Sequence, residues 1–516
     1  MSLVRETDSE VIAQFAVPVR GTWKSSAIHT IPQDALYDSL NVFIREGKLR
    51  NRPGLTPLDD TIFTNKIIGG AMAVTPTEKV ILALTRNLIY QYSDITQSWS
   101  TLTPPAMQSI APSDNSVVDI AFLETTGTYV AIIAEQSNTL KAWTALPRSV
   151  DTIVGTNIPR AKSICIASSR VIALIPPHTI VWSNVLNHTI FDPLAYAKRA
   201  QSGDNGICVR SLSSLSFALY KERSIHTARA QAGLDEGTAF SFSEPIYAEG
   251  PAGIYAVVNV GGSHIYMTKN GRIGLFNGTN YPQWIADGLW LYLQDDIEPS
   301  RAHHIRGVYD YRLHTVLFFY PRRSDRSNLG LKGMVLINLP FEGMDIAEQP
   351  TMRCFLGECE KPISHACEKR FDTSVDRSLI FSEASSTVND AQAFLLDEMT
   401  DTDGALPYTC MFQSGLSPMP DATHIHVTVE SFFERSFGNG AVLIEPVVSD
   451  SLETKAGTIP DLSGQHIDLE TNPVREYLGF GMKVRFFGVK YTWRSDNTVR
   501  WSGAVVYSGT SPKVRR

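Results

Sequence analysis

Residues 67–103 read IIGGAMAVTPTEKVILALTRNLIYQYSDITQSWSTLT. Four short runs rich in apolar, β-branched and aromatic residues (IIGGAMAV, KVILALT, LIYQYS, SWSTLT) are separated by TPTE, RN and DITQ. Runs this short, broken by turn-forming residues, read as strands rather than helices. Four strands joined by hairpin-length loops within about forty residues have the size of one β-propeller blade.

The same rhythm returns downstream. Residues 117–146, 163–185, 206–248, 254–286, 305–357 and 378–398 each carry two to four such runs. Asn270-Gly271 is the strongest hairpin signal among them. The chain therefore reads as all-β, with a propeller of about six or seven irregular blades over 61–400. No Trp-Asp dipeptide recurs at a fixed period, so the repeat rests on strand rhythm. The last group, 378–398, is short of strands. Helix signals are few: WIADGLWLYLQDDI (284–297) has helical spacing, and DALYDSL (34–40) has the length of two turns. Beyond residue 400 the strands lengthen and alternate, as in THIHVTVESFFE and GAVLIEPVVS. Alternation means one buried and one wet face, so 401–516 reads as a β-sandwich-like domain. Residues 1–60 form a lead-in and a hairpin.

The composition excludes several classes. Of 516 residues 43% are hydrophobic and 19% charged, and the net charge is −7. That is poor in charge beside the ~25% of ordinary soluble domains, and it lacks the basic footprint of a nucleic-acid reader. Six cysteines do not make a disulfide framework. The N-terminus, MSLVRETDSEVIAQF, lacks a secretory pattern, and no apolar run approaches 18 residues. The expectation is a soluble protein made in the cytoplasm, with no membrane span.

Little chemistry is visible. No nucleophile elbow, phosphate loop or zincin helix is present. Cys354, Cys359, His365 and Cys367 lie close in sequence but lack the tight Cys-x2-Cys knuckle of zinc sites, and read as buried thiols on strands. His303-His304 with Asp310 reads as the start of a strand, with Asp310 in a turn or on a wet face. Two carboxylate groups, Asp295/Asp296/Glu298 and Asp397/Glu398/Asp401/Asp403, read as solvated loops. No catalytic residue, cofactor or metal is expected. The alternative is a propeller glycosidase or lyase, or a receptor-binding tail protein, acting on host surface polysaccharide; paired carboxylates would serve such an enzyme.

Near the start, IPQDALYDSLNVFIREGKLRNRPGL (31–55) holds a hairpin with Glu46-Gly47 at its turn. Pro53 cannot donate to a ladder and stops the pairing. This stretch resembles the N-terminal signature of the tail nozzle proteins of short-tailed bacteriophages, including those called packaged-DNA stabilization proteins. Asp34, Ala35, Asn41, Val42, Gly47, Arg52, Pro53 and Gly54 occupy the matching places. SSRVIALIPPHTIVWSNVLNHTIFDP (168–193) and YMTKNGRIGLFNGTNYPQWI (266–285) are similar to two of that family's blades. The resemblance covers most of the propeller and little of 401–516. It implies a virion tail protein in a hexameric ring, below the portal and adaptor and holding fibre, spike or needle and knob proteins. Double-stranded DNA would pass through such a ring without sequence-specific binding.

Two structural expectations accompany this reading. Residues 34–54 should pair with a blade and help close the propeller. The 284–297 helix, with Trp284, Trp290 and Tyr292, should lie at a contact between subunits or domains, because Trp and Tyr are favoured interface anchors.

Overall fold

The computed structural model describes residues 10–18, 20–24, 27–28, 30–32, 34–74, 79–93, 95–102, 110–125, 128–144, 149–200, 203–231, 236–325, 330–339, 352–369, 377–383, 391–397, 400, 402–418, 425–433, 440–449, 457–458, 465–468, 475–482, 486–497 and 499–510. Five four-stranded sheets follow one another along the chain: 69–102, 119–152, 163–198, 206–242 and 257–284, here blades 1 to 5. In each, the strands pair antiparallel in chain order.

Blades 6 and 7 share one strand. Arg306–Asp310, Thr315–Tyr320 and Leu331–Asn338 lead into Arg353–Lys369, a strand of 17 residues. Its first part pairs with Leu331–Asn338, and its later part pairs with Arg377–Ser382. Ala393–Asp397 comes next, and the N-terminal strand Gly54–Pro57 pairs with it as the fourth strand of blade 7. Among the described residues the propeller therefore has seven blades. The first strands of successive blades lie side by side around an axis, and Arg353–Lys369 meets Gly69–Val74 to close the ring.

Why these runs are apolar throughout follows from where they sit. A blade is covered on both faces, so successive side chains of one strand enter different inter-blade cores. Val80, Leu82 and Leu84 pack with Ala131 and Ile133 of blade 2, whereas Ile81 and Ala83 pack with Leu379 and Phe381 of blade 7. The same division recurs around the ring, each cluster filling the gap between two consecutive blades. Among the described residues no helix is long and apolar enough to cross a membrane.

The second body is a sandwich of two sheets. One runs Val42–Arg45, Lys48–Asn51, Arg500–Thr510, Ile425–Phe433, Arg475–Met482, with Glu10–Ala16 also on Arg500–Thr510. The other runs Leu36–Leu40, Thr409–Ser414, Phe486–Arg494, Ala441–Ser449, Gly457–Thr458, with two short strands at its sides. Phe412 and Tyr491 stack at 4.6 Å on one sheet, and both rings meet Trp501 of the other. One continuous core joins the sandwich to blades 6 and 7.

The N-terminal expectations are thereby corrected. The 42–51 hairpin pairs with Arg500–Thr510 of the sandwich and not with a blade. Ring closure falls to Gly54–Pro57, beyond the Pro53 stop. Residues 36–40 are a strand rather than helical turns, because pairing with Thr409–Ser414 outweighs their local periodicity. The lead-in is thus part of the sandwich, and the propeller's blade 7 sheet continues to Pro407. Glu46 and Gly47 take φ of 53° and 73°, as a two-residue hairpin turn requires.

Candidate functional site

Of the N-terminal signature residues, Asn41, Arg52, Pro53 and Gly54 converge on one buried junction. Arg52 is 1% exposed. Its guanidinium grips Asp403 with two bonds of 3.0 and 2.6 Å, and donates to Asn41 Oδ1 and to the carbonyls of Pro53 and Glu358. It also lies 3.8 Å over the Tyr408 ring, and the Tyr408 hydroxyl donates back to the Arg52 carbonyl. Burial alone would lower the Arg52 pKa; the Asp403 carboxylate overrides it and the net shift is upward.

Asn41, at φ 56°, accepts from Glu358 N and donates to the Thr409 carbonyl. Asn is one of the few residues that tolerates this conformation. Gly54 is required by crowding: a Cβ there would come within 2.3 Å of the Thr400 carbonyl. Asp34 and Gly47 are peripheral. Asp34 meets Arg20 at 3.2 Å on the surface, a pair of little energetic weight. Gly47 caps the exposed hairpin turn.

The aromatic segment is shorter than its periodicity suggested. Gln283–Trp284 is the last strand of blade 5, and the helix covers only Trp290–Asp296. Leu293 is fully buried in the core between blades 5 and 6. Arg272 lies over both Trp284 and Trp290, and Lys24 sits 4.3 Å from the Tyr292 ring. Trp23 packs so closely that a Cβ on Gly288 would come within 2.7 Å of its indole. The segment therefore joins the propeller to the N-terminal lead-in of the same chain, while Leu291 stays 42% exposed. Leu293→Ala should cost about 2–5 kcal/mol by cavity formation, and Leu291→Ala less than about 0.5; urea unfolding midpoints will separate the two.

The remaining clusters resolve into separate roles. Cys354 faces the Ile285 carbonyl, Cys359 lies beside Arg52, and Cys367 packs between blades 7 and 1. Burial raises the thiol pKa of all three. No group of three or more metal-binding side chains converges among the described residues. Asp295 is exposed, as expected, whereas Asp296, Asp397 and Asp403 are less solvated than expected. Asp296 holds Arg322 and the Tyr320 hydroxyl, Asp397 holds Arg377, and Asp403 is fully buried on Arg52. Glu398 and Asp401 lie outside the described residues. Asp310 is also buried, accepting from Leu313 N and Ser378 N at the far end of the strand from His304.

Sequence reasoning missed what lies on the propeller axis. Each blade contributes a polar or small residue there, from its first strand or, for Tyr255, from the turn before it, and these link around the ring. Asp119 accepts from Ser163 Oγ, Ile164 N and Arg210 at 2.7–2.9 Å. Arg210 also donates to the Ile254 carbonyl, and Tyr255 donates its hydroxyl to the Val118 carbonyl. The Tyr255 ring meets the His365 ring edge-on at 4.7 Å, with Arg306 at 4.9 Å from it. His365 Nε2 reaches the Gly70 carbonyl at 3.1 Å, which makes that nitrogen the donor. The axis is filled by side chains. The available signal was a charged residue, Asp119 or Arg306, opening an otherwise apolar strand.

Burial, reinforced by the Arg306 charge, lowers the His365 pKa to about 3. Burial likewise lowers His264 to about 4. His264 bridges the Tyr220 hydroxyl at Nδ1 and the Ser211 carbonyl at Nε2. A folded pKa below the unfolded ~6.5 means the unfolded chain binds the extra proton. The stability from each histidine is present above pH 6.5 and drains away as pH falls towards its folded value. For His264 the window from about 6.5 to 4 corresponds to roughly 3 kcal/mol. Burial raises Glu368 to about 7, which acts in the opposite sense over pH 7 to 4.5. His264→Gln keeps a donor and an acceptor without the titration. It should flatten the loss of stability between pH 6.5 and 4, measured from urea midpoints.

No family model and no curated protein matches the chain. Among solved structures it is similar to the crystal structure of RRP9 WD40 repeats, at 12% identity and a TM-score of 0.44, over 68% of this chain and 100% of that one. It is similar also to the structure of U3-55K, at 13% identity and 0.43, over 67% and 99%.

Proposed function

We propose that the chain is a structural virion protein, a tail nozzle subunit of a short-tailed bacteriophage. Six copies would form a ring below the portal and adaptor, extend the DNA channel, retain packaged DNA and anchor the distal tail parts. The observation that supports this reading is the fate of the signature. Asn41, Arg52, Pro53 and Gly54 meet in a buried junction that fastens propeller to sandwich. Such a set specifies an architecture and not a reaction. The filled propeller axis means that DNA would take the channel of the ring, outside any one propeller. A subunit of net charge −7 suits a bore that does not hold phosphates, since lysines and arginines there would release counterions and grip the backbone.

In the ring, the Trp290 helix with its exposed Leu291 is our candidate for a contact between subunits. Trp290→Ala should then leave the isolated subunit folded but weaken assembly. An anchor of this kind costs on the order of 2 kcal/mol per contact, and a closed ring repeats the loss at every interface. Normal assembly of that variant, scored by sedimentation, would remove the helix from the interface.

The decisive test is to mix the purified chain with a portal–adaptor assembly and image the product by electron microscopy. A sixfold ring on the adaptor is the expected result. Failure to bind, together with release of reducing ends from host polysaccharide, would favour the enzymatic alternative instead.

A further inference from the structure

A cavity of about 230 Å³ lies among the segments that lead into the blades. Part of its wall is apolar: Val117, Ile207, Pro251, Ala252 and Ile254. The rest carries charge or an imidazole: Lys162, Lys269, Glu222, Glu249 and His303. Glu222, Lys269 and His303 are exposed, so the cavity opens to solvent on their side. Gly250 and Gly253 also line it, and neither has room for a Cβ. The first lies against the Lys221 carbonyl and the second against the His303 carbonyl. The 249–254 segment is therefore packed tight, and the cavity is preformed. A preformed site spends less of its binding energy on ordering itself.

The charges in the wall balance, Lys162 and Lys269 against Glu222 and Glu249. Burial, then nearby cations, lower the His303 pKa, so its ring is neutral at pH 7. Glu249 is engaged by the Asn270 amide at 2.7 Å. Lys162 is half-buried, and its Nζ donates to the Gly206 carbonyl at 3.0 Å. An ammonium has three protons to donate; among the described residues the other two meet no acceptor. Burial lowers the Lys162 pKa, and Cys208 and Glu222 lie near enough to offset part of that. Yet no ion pair joins Lys162 to Glu222 among the described residues. A cation and an anion held apart in one wall leave space for a ligand that carries both signs. A cavity of about 150 Å³ accepts benzene, so this one takes a body of leucine or phenylalanine size.

We propose that the cavity binds a small zwitterion with an apolar body, an apolar α-amino acid in type. Its carboxylate accepts from Lys162, its ammonium meets Glu222, and its side chain covers Val117, Ile207 and Ile254. A preformed pocket of apolar wall with a few convergent polar groups is the usual form of a small-molecule site. An ion of one sign would leave one wall charge unmet and face another of its own sign. A sugar is served less well, because the wall offers no aromatic ring to stack on. The inference goes beyond the nozzle reading and is independent of it, since the whole site lies within one subunit.

The test uses the full chain with L-leucine and L-phenylalanine, by calorimetry and by thermal unfolding. At least one of them should raise the midpoint, because a ligand that binds only the folded state stabilises it by mass action. Three analogues of the one that binds each lack one feature. The N-acetyl derivative lacks the ammonium, the amide lacks the carboxylate, and glycine lacks the apolar body. Each should bind about tenfold more weakly. Glu222→Gln alters an exposed side chain and leaves the fold intact. It should lower affinity for the free amino acid about tenfold and leave that for the N-acetyl derivative unchanged. Lys162→Met should act in the same way on the amino acid relative to its amide. Should that variant not fold, Glu222→Gln decides alone. Failure of both amino acids to bind would overturn the inference, as would wild-type affinity in Glu222→Gln. Equal binding of the amino acid and its analogues would overturn it too. A midpoint that rises as much with glucose would also sink it, by assigning the cavity to polyols.

Discussion

A chain lacking residues 1–57 should not fold to a closed propeller. Truncation removes Gly54–Pro57, the fourth strand of blade 7, and leaves Ala393–Asp397 as an open edge. It also strips four strands from the sandwich: Glu10–Ala16, Leu36–Leu40, Val42–Arg45 and Lys48–Asn51. The shared core loses Leu36, Val42, Phe43, Ile44, Leu49 and Leu55, all buried. At about 1.5–3 kcal/mol for each such side chain, their contribution is on the order of 10 kcal/mol, comparable to the whole stability of a typical domain. Circular dichroism should therefore show no cooperative melting transition. A shorter truncation, of residues 1–33, keeps the closure strand, the hairpin and Leu36–Leu40, and should melt cooperatively at a modestly lower temperature. If the 1–57 truncation melts like the full chain, the closure by the N-terminal strand is wrong.

What could be read from the sequence divides along a physical line. The blades are legible because their strands are buried on both faces, so each is an apolar run between turn residues. Asn270-Gly271 joins Ser263–Met267 to Ile273–Phe276, as its type predicts. The deficit of strands in 378–398 also pointed correctly to a strand borrowed from the N-terminus. The choice of that strand was not legible. Gly54–Pro57 is four residues with Gly and Pro at its ends, and only pairing with residues some 340 positions later makes it a strand. Leu36–Leu40 misled for the same reason. Of Arg353–Lys369 the strand rhythm catches only the start, in the group that ends at residue 357, yet one strand serves two blades. The axial cluster is the hardest case. Asp119, Arg210, Tyr255, Arg306 and His365 each come from a different blade, so no local pattern announces that they meet.

Asp403→Ala should destabilise the protein by about 3–5 kcal/mol, the cost of leaving a buried charge without its partner. Arg52 would keep its bonds to Asn41, Pro53 and Glu358, but these are dipoles and do not neutralise a guanidinium. Asp403 also accepts from Glu360 N, which would lose its acceptor. Arg52→Lys is not conservative here, because one ammonium cannot reproduce a fork that contacts Asn41, Pro53, Glu358 and Asp403 while stacking on Tyr408. The double variant Arg52→Met, Asp403→Leu removes both charges together and should be more stable than Asp403→Ala alone. The junction's position sets a second expectation. Arg52 touches the hairpin through Asn41, the strand shared by blades 6 and 7 through Glu358, and the start of the sandwich through Tyr408. Weakening it should loosen the sandwich from the propeller before either unfolds. Urea titration of Asp403→Ala should thus show an earlier transition, separated from the main one. A variant that unfolds at the wild-type midpoint in one step would show that the shared apolar core alone holds the two bodies together.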